Sequence, residues 1–583
     1  MAYRYLYPDL NAEMPEKKNV LEHTPNPASK EMIGRLEELG VETALDRFEA
    51  QQPQCGFGLR GLCCRMCQWG PCRIGPKSPR GICGRDLNMV VMSNIVRSLV
   101  AGLAGHGRHA HEVIMAIIAS AEGKADLPLL GEARVWELAE KFKLEVAGKS
   151  FREMAEEVAL VLLEDLGRLD DRPIRMLEAY APVERKELWS RLGVLPRSAT
   201  YEVMETLHMT TLGGCSDWTA LAAQELRSAL AYCYSTLFAS SMATEILYGI
   251  PRPRPAQVNY GVMREDHVNI LLHGHSPVMA EKVLEKINSP EIQALARQAG
   301  AGGIVVAGMC CTGDELLARY GVPTVTNILG QELALGTGAV DLLVADMQCV
   351  IPGVKTVADC FGTEVVTTCN SNRIPGATHI PFDAERPETL DEDALKVARL
   401  AVEAFARRDR SKVHIPKVVA SAMAGWSYEA IVEAFGGVDR LLQLLKEGSI
   451  KGIATVVLST VAAVRNVDPA YLKVAQNFGS SQRDILVKVV IPAAFPYITI
   501  GLHIALGAAW VFLVAGEMMG VRSGLGFLII DARNQLRTEL VVVGILVIGL
   551  LGLFLDRLIG YLEKKLNTRW GLEKYRYRAG EEG

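Results

Sequence analysis

Six cysteines fall between Cys55 and Cys83, spaced Cys55-x7-Cys63-Cys64-x2-Cys67-x4-Cys72-x10-Cys83. Thiolates at such short spacing can wrap one metal cluster, because a tight turn gathers their sulfurs around a common centre. Cys64, Cys67, Cys72 and Cys83 supply four thiolates, enough for one [4Fe–4S] cubane. Cys55 and Cys63 are left over. Two thiolates satisfy half a cluster, which points to a second cluster shared across a two-fold axis with another copy of the chain. A disulfide framework needs an oxidising compartment, and no secretory signal peptide opens the sequence. A zinc site accounts for four of these cysteines and not for six.

A second set is dispersed. His275 sits in His273-Gly-His275-Ser-Pro, Cys310-Cys311 lies further on, and Cys349 follows Asp346-Met-Gln. Each comes just after a short apolar run expected to be a strand: Val268–Leu272, Gly303–Ala307 and Leu342–Ala345. The carboxyl ends of parallel strands are where open α/β sheets build ligand sites. One imidazole and two thiolates there suit a mixed metal cluster. Buried structural cysteines and a capping histidine fit the same pattern. Upstream, His106-Gly-Arg-His109-Ala-His111 lies on an expected helix. His106 and His109 share a face and are placed to pass a proton, although three solvated surface histidines would look alike.

The elements that position these residues are legible in outline. A chain of 583 residues holds three or more domains. Lys+Arg 62 against Asp+Glu 67 gives a net charge of −5, which implies no nucleic-acid partner. Mean hydropathy is +0.15, and the apolar excess is concentrated in the last fifth. No G-x-x-x-x-G-K-[ST] loop occurs, so the chain is not itself a P-loop ATPase. Residues 1–85 read as an N-terminal segment with one helical stretch near 30–48 and the cluster loop. Residues 86–257 carry helical periodicity, as from Glu153 to Leu166. Residues 258–415 alternate short apolar runs, including Thr324–Thr326 and Glu364–Thr368, with helical stretches such as Pro277–Ile287, the pattern of a Rossmann-like parallel sheet. Residues 416–458 read as the start of a second α/β domain. The expected fold class is therefore multidomain α/β, ending in a partial all-α transmembrane segment at 459–572 and a polar tail at 573–583.

The cysteine spacing resembles the N-terminal segment of anaerobic nickel–iron carbon monoxide dehydrogenases. Val268–Pro277, Ala307–Glu315 and Asp346–Cys349 resemble the first three ligand motifs of that family's active-site cluster, and Asn327–Gly338 and Thr367–Phe382 also read like it. The resemblance covers roughly residues 1–453. It implies an electron-transfer cubane on Cys64, Cys67, Cys72 and Cys83, and half of an intersubunit cluster on Cys55 and Cys63. It assigns His275, Cys311 and Cys349 as ligands of a Ni–Fe–S cluster, with Cys310 a neighbour outside the ligand set. Histidines at the places of His106 and His109 serve as acid–base residue and start of a proton relay. The activity implied is CO + H2O to CO2 with two protons and two electrons, in a homodimer that passes electrons to a ferredoxin-like acceptor.

The resemblance stops short. The family has three more cluster cysteines, the first in Gly-Cys-Asn-Asn after a strand matching Ile453–Leu458; here Leu458-Ser459-Thr460 follows, and no cysteine occurs after Cys369. Serine hydroxyls do not replace thiolates for soft iron and nickel sites. An incomplete, impaired active-site cluster is expected. Val467–Gly479 with Val490-Ile-Pro-Ala-Ala494 instead resembles the coupling loop of ABC-importer permeases of the sulfonate, taurine and nitrate type, over roughly 460–572. Ile498–Gly516 and Leu540–Leu555 are apolar runs of membrane-helix character. This second resemblance implies an ABC ATPase partner and a membrane location, with the enzyme-like part cytoplasmic. Two alternatives stand beside the oxidoreductase: a membrane component of an importer, and a non-functional fused reading frame.

Overall fold

Every residue of Val268–His273 is buried, a burden that only a strand covered on both faces carries. In the computed structural model, which describes Thr24, residues 26–382 and 387–446, and single positions between 528 and 557, this strand sits near the centre of the main sheet. The strands in chain order are β1 (Cys63–Cys64), β2 (Cys72–Arg73), β3 (Arg254–Val258), β4 (Val268–His273), β5 (Ile304–Met309), β6 (Thr324–Thr326), β7 (Leu342–Ala345), β8 (Glu364–Thr367), β9 (Thr378–His379) and β10 (Ala420–Ala424). The large sheet has eight strands in the order β10-β3-β6-β5-β4-β7-β8-β9. All neighbours are parallel except the edge pair β10–β3. His273 pairs with Met309 on one side and Ala345 on the other. The carboxyl ends of β5, β4 and β7 therefore stand in a row.

Helices cover this sheet. Those used below are α1 (Pro27–Glu38), α2 (Leu87–Ala121), α3 (Ala239–Tyr248), α4 (Pro277–Ile287) and α5 (Cys310–Tyr320). The 35-residue α2 starts where Asp86 accepts a hydrogen bond from Met89 N. Among the described residues it is the one helix long and apolar enough to cross a membrane. Its Leu103, Ala110, Val113, Ile114 and Ile117 are instead fully buried in a core that also takes in Ile270, Leu272 and Val344 of the sheet. Each such Leu, Val or Ile side chain contributes about 1.5–3 kcal/mol. The chain forms two compact units, Met1–Ile431 and Val432–Gly583. In the second, the helix Val438–Lys446 is described.

Two expectations from sequence change. The helical stretch near 30–48 is two helices, α1 and Ala44–Ala50. Gly40, at φ +66, breaks the first, and a capping box between Thr43 and Asp46 starts the second. The segment read as opening a second α/β domain at 416 supplies β10, which adds antiparallel to β3 in the same sheet. The expected membrane helix Ile498–Gly516 and the strand at Ile453–Leu458 lie outside the described residues, and of Leu540–Leu555 only Leu540, Val543, Val547 and Leu551 are described, each helical.

Candidate metal centre and its flanking histidines

Three strand-to-helix turns meet at the row of strand ends. The turn after β4 carries Gly274, His275 and Ser276, the end of β5 runs into Cys310-Cys311 at the start of α5, and Asp346–Cys349 follows β7. Cys349 Sγ stands 4.0 Å from His275 Nε2. The Cys310 and Cys349 thiols are hydrogen-bonded to each other. Cys310, Gln348 and Cys349 have φ of 55°, 61° and 54°. Left-handed backbone at non-glycine residues costs about 1–3 kcal/mol each and persists only where surroundings impose it.

Asp346 imposes it. Its carboxylate accepts from His275 N at 2.5 Å, Ser276 N at 3.2 Å and Thr312 Oγ1 at 2.6 Å, and from Met347 N. One side chain thus ties all three turns together. The fit is close enough that a Cβ on Gly274 would lie 1.9 Å from Asp346 Oδ1, and Gly274 has φ +137. Burial pushes the Asp346 carboxyl up to about 7. Gln331 braces the last turn, donating to Cys349 O at 3.0 Å and Ile328 O at 2.7 Å while its Oε1 faces His273 Nε2 at 3.2 Å. Neither residue was singled out from sequence. The signal for Asp346 was present: a carboxylate directly after the buried run Leu342–Ala345 has to be held by donors.

The α2 histidines come to the same place. The His106 ring lies 5.1 Å from that of His275 and 5.2 Å from that of Tyr232, both edge-on, and the His109 ring lies 6.2 Å from that of His275. Burial lowers all three imidazoles. His109 falls to about 3, with His275 and His106 adding to the effect, and His275 to about 4, with His106 adding. All three are neutral at pH 7. His275 Nδ1, His106 Nδ1 and both nitrogens of His109 are buried with no hydrogen-bond partner among the described residues. The thiols move the other way. Burial first, then neighbouring sulfurs and carboxylates, push Cys310 up to about 12 and Cys311 to about 11, and raise Cys349. Neutral imidazoles and crowded thiols, Cys310 and Cys349 half-buried and Cys311 exposed, form a donor set that a soft cation would satisfy, since coordination deprotonates a thiol outright. Of the residues expected at this site, His275, Cys349, Cys311, His106 and His109 are brought together, with Cys310 beside them.

The N-terminal cysteines form a separate loop. β1 and β2 pair so that Cys64 faces Cys72, and Ile82 N donates to Cys72 Sγ at 3.4 Å, carrying Cys83 past it. Asn94 of α2 holds the loop through Gly61 O at 2.8 Å and Cys63 O at 3.0 Å. Arg85 ties it to Thr210 O and Thr211 O, each at 2.8 Å. All 13 cysteines are free thiols. Cys55 is exposed, and N–H groups of Gly58 and Phe57 hold its thiol below the usual range.

Comparison with known proteins gives the family. Residues 62–487 match the Prismane/CO dehydrogenase family, and residues 448–568 match the binding-protein-dependent transport system inner membrane component. Carbon monoxide dehydrogenase 1 of Methanosarcina mazei is 37% identical over 446 residues, spanning 76% of this chain and 70% of its own. Carbon monoxide dehydrogenase 1 of Carboxydothermus hydrogenoformans is 38% identical over 443 residues, 74% and 68% of the two chains. Among solved structures, carbon monoxide dehydrogenase IV of Carboxydothermus hydrogenoformans superposes with a TM-score of 0.70 at 39% identity, covering 73% of this chain and 68% of its own. A nickel-free carbon monoxide dehydrogenase from Thermococcus sp. AM4 gives 0.71 at 41% identity, covering 75% and 70%. The chain that builds this row of thiols and imidazoles belongs to the Prismane/CO dehydrogenase family.

Proposed function

We propose that this chain is a carbon monoxide dehydrogenase-type oxidoreductase whose electron-transfer clusters are complete and whose catalytic cluster is short of ligands. The observation that carries the reading is the convergence of His275, Cys311 and Cys349 on three adjacent strand ends, opposite His106 and His109. The six N-terminal cysteines fit iron–sulfur clusters: they are free, gathered on one braced loop, and receive N–H groups at Cys72 and Cys55. Cys64, Cys67, Cys72 and Cys83 hold one within the chain, and Cys55 and Cys63 hold half of one shared in a homodimer. Such clusters supply one-electron transfer toward a ferredoxin-like acceptor.

The second donor set fits a nickel–iron–sulfur cluster only in part. Its soft donors are His275, Cys311 and Cys349, and no cysteine stands between Cys369 and Gly583 to add a further thiolate. The chain's own groups remain suited to CO oxidation by water, which releases two protons for every two electrons. His106 is half-buried and His109 buried, and burial lowers both imidazoles, so both are neutral at pH 7 with an unprotonated ring nitrogen facing the site.

Iron and nickel per chain after anaerobic purification test the reading, together with CO-dependent reduction of a viologen. Iron at about six per chain with no nickel and no viologen reduction is expected. Nickel near one per chain, with turnover, would overturn the ligand shortage.

A second reading rests on the match at 448–568. A membrane-embedded C-terminal part, served by an ABC ATPase, would make the chain a transport component. Restoring uptake in a strain deleted for such a permease would favour it over the oxidoreductase.

A further inference from the structure

The two cysteine sets are joined through one dipeptide. Gln331 and Glu332 open the short helix Gln331–Leu335, and they are 1% and 3% exposed. Gln331 Nε2 holds Cys349 O, and its Oε1 accepts from Ile351 N at 3.2 Å, so one side chain spans the turn that carries the thiol. Gln348 and Cys349 both have left-handed backbone, a conformation that relaxes unless the groups around it are held. Relaxation would swing the Cys349 side chain away from His275.

Glu332 faces the N-terminal segment. Its Oε2 accepts at 2.5 Å from Ala44 N, a first-turn N–H that the helix Ala44–Ala50 cannot satisfy from within, and its Oε1 pairs with Arg47 Nη2. Gly353, just past the Cys349 turn, lies against this pair: a Cβ there would run into Glu332 Oε1 and the Arg47 guanidinium. From the helix Ala44–Ala50 the chain runs on into Cys55. A row of contacts thus leads from the segment before Cys55, through Arg47, Glu332 and Gln331, to Cys349. Every link in it is a hydrogen bond, an ion pair or a peptide bond.

Packing alone does not ask for this row. Met32 and Leu36 of α1 already share a buried core with Leu333, Leu335 and Val354. An ion pair set beside that core costs desolvation, and removing one partner leaves a buried carboxylate uncompensated. Such a carboxylate is relieved by moving toward water, which draws the first turn of its helix along. The Arg47 side chain is 35% exposed, so it is the link that can be cut from the surface. We propose that Arg47 and Glu332 are positioning residues for Cys349: through Gln331 they make the direction of its thiol depend on how the helix leading to Cys55 is seated. The inference rests on the reading of Cys349 as a thiol of the metal centre.

Its test reads the thiol itself. In the intact, anaerobically purified chain, with EDTA present, alkylation by iodoacetamide is timed at Cys349 and at Cys311, residue by residue, by mass spectrometry. Cys311 lies on another turn of the same site and serves as the reference. Arg47→Gln and Glu332→Gln are each expected to raise the rate at Cys349 relative to Cys311 by about threefold or more, as the thiol leaves its neighbours. The double variant is expected to match the faster single variant, because both changes cut one contact. Should Glu332→Gln fail to fold, Arg47→Gln alone carries the test. Unchanged rates at Cys349, a rise that Cys311 shares equally, or a double variant whose rise is the product of the two would each overturn the proposal. None of these outcomes bears on whether the chain oxidises CO, which metal content and viologen reduction decide separately.

Discussion

His109 and Asp346 are both buried, and burial moves them in opposite directions because it disfavours charge of either sign. His109 falls from 6.5 to about 3, and Asp346 rises from 3.8 to about 7. The folded His109 therefore binds fewer protons than the unfolded one between those values. Its contribution to stability is whole above pH 6.5 and is lost as pH falls toward 3. Asp346 runs the other way: its share is whole below 3.8 and is lost as pH rises through 7. In His109→Gln, unfolding free energy is expected to decline less steeply between pH 6.5 and 4, by on the order of 2–4 kcal/mol in total. Denaturant titrations at a series of pH values check this; an unchanged slope would mean the imidazole is solvated. Of these two residues only His109 drew attention as sequence. Asp346 did not, because its worth lies in four donors that come from three separate turns.

At the scale of elements, the glycine pair Gly308 and Gly313 sets how closely β5 approaches α5. A Cβ on Gly308 would lie 2.3 Å from Gly313 Cα, a backbone atom that has nowhere to retreat. Gly308→Val is expected to destabilise the main unit by about 3 kcal/mol or more and to displace Cys310 and Cys311. A fall in melting temperature of roughly 6 °C or more, with unchanged N-terminal iron, would show it. The same packing explains what could be read in advance. β7 and α4 were legible to the residue, because a buried parallel strand reads as a continuous apolar run and Pro277 marks a helix start, and the β-branched Thr324–Thr326 gave β6. A strand near 417 was legible but not its place at the edge of the main sheet, because Ala420–Met423 are exposed and carry no apolar rhythm. The π-helical turn Tyr232–Phe238, which sets Tyr232 against His106, had no signal, since its sequence continues a helical pattern.

For the whole molecule, two family matches meet in one chain and overlap over residues 448–487. The domain boundaries read from sequence place the join at 458–459, which falls inside that overlap. We expect the full chain to sediment with membranes and a chain ending at Lys446 to stay in the supernatant with the same iron content. Both in the supernatant would remove the membrane proposal; iron lost from the shorter chain would tie cluster assembly to the C-terminal part.

The carboxylate that pins the three turns has a consequence for what holds the site in shape. Peptide N–H groups, one hydroxyl and one oxygen pair tie the turns to one another, and none of these contacts is made through an ion.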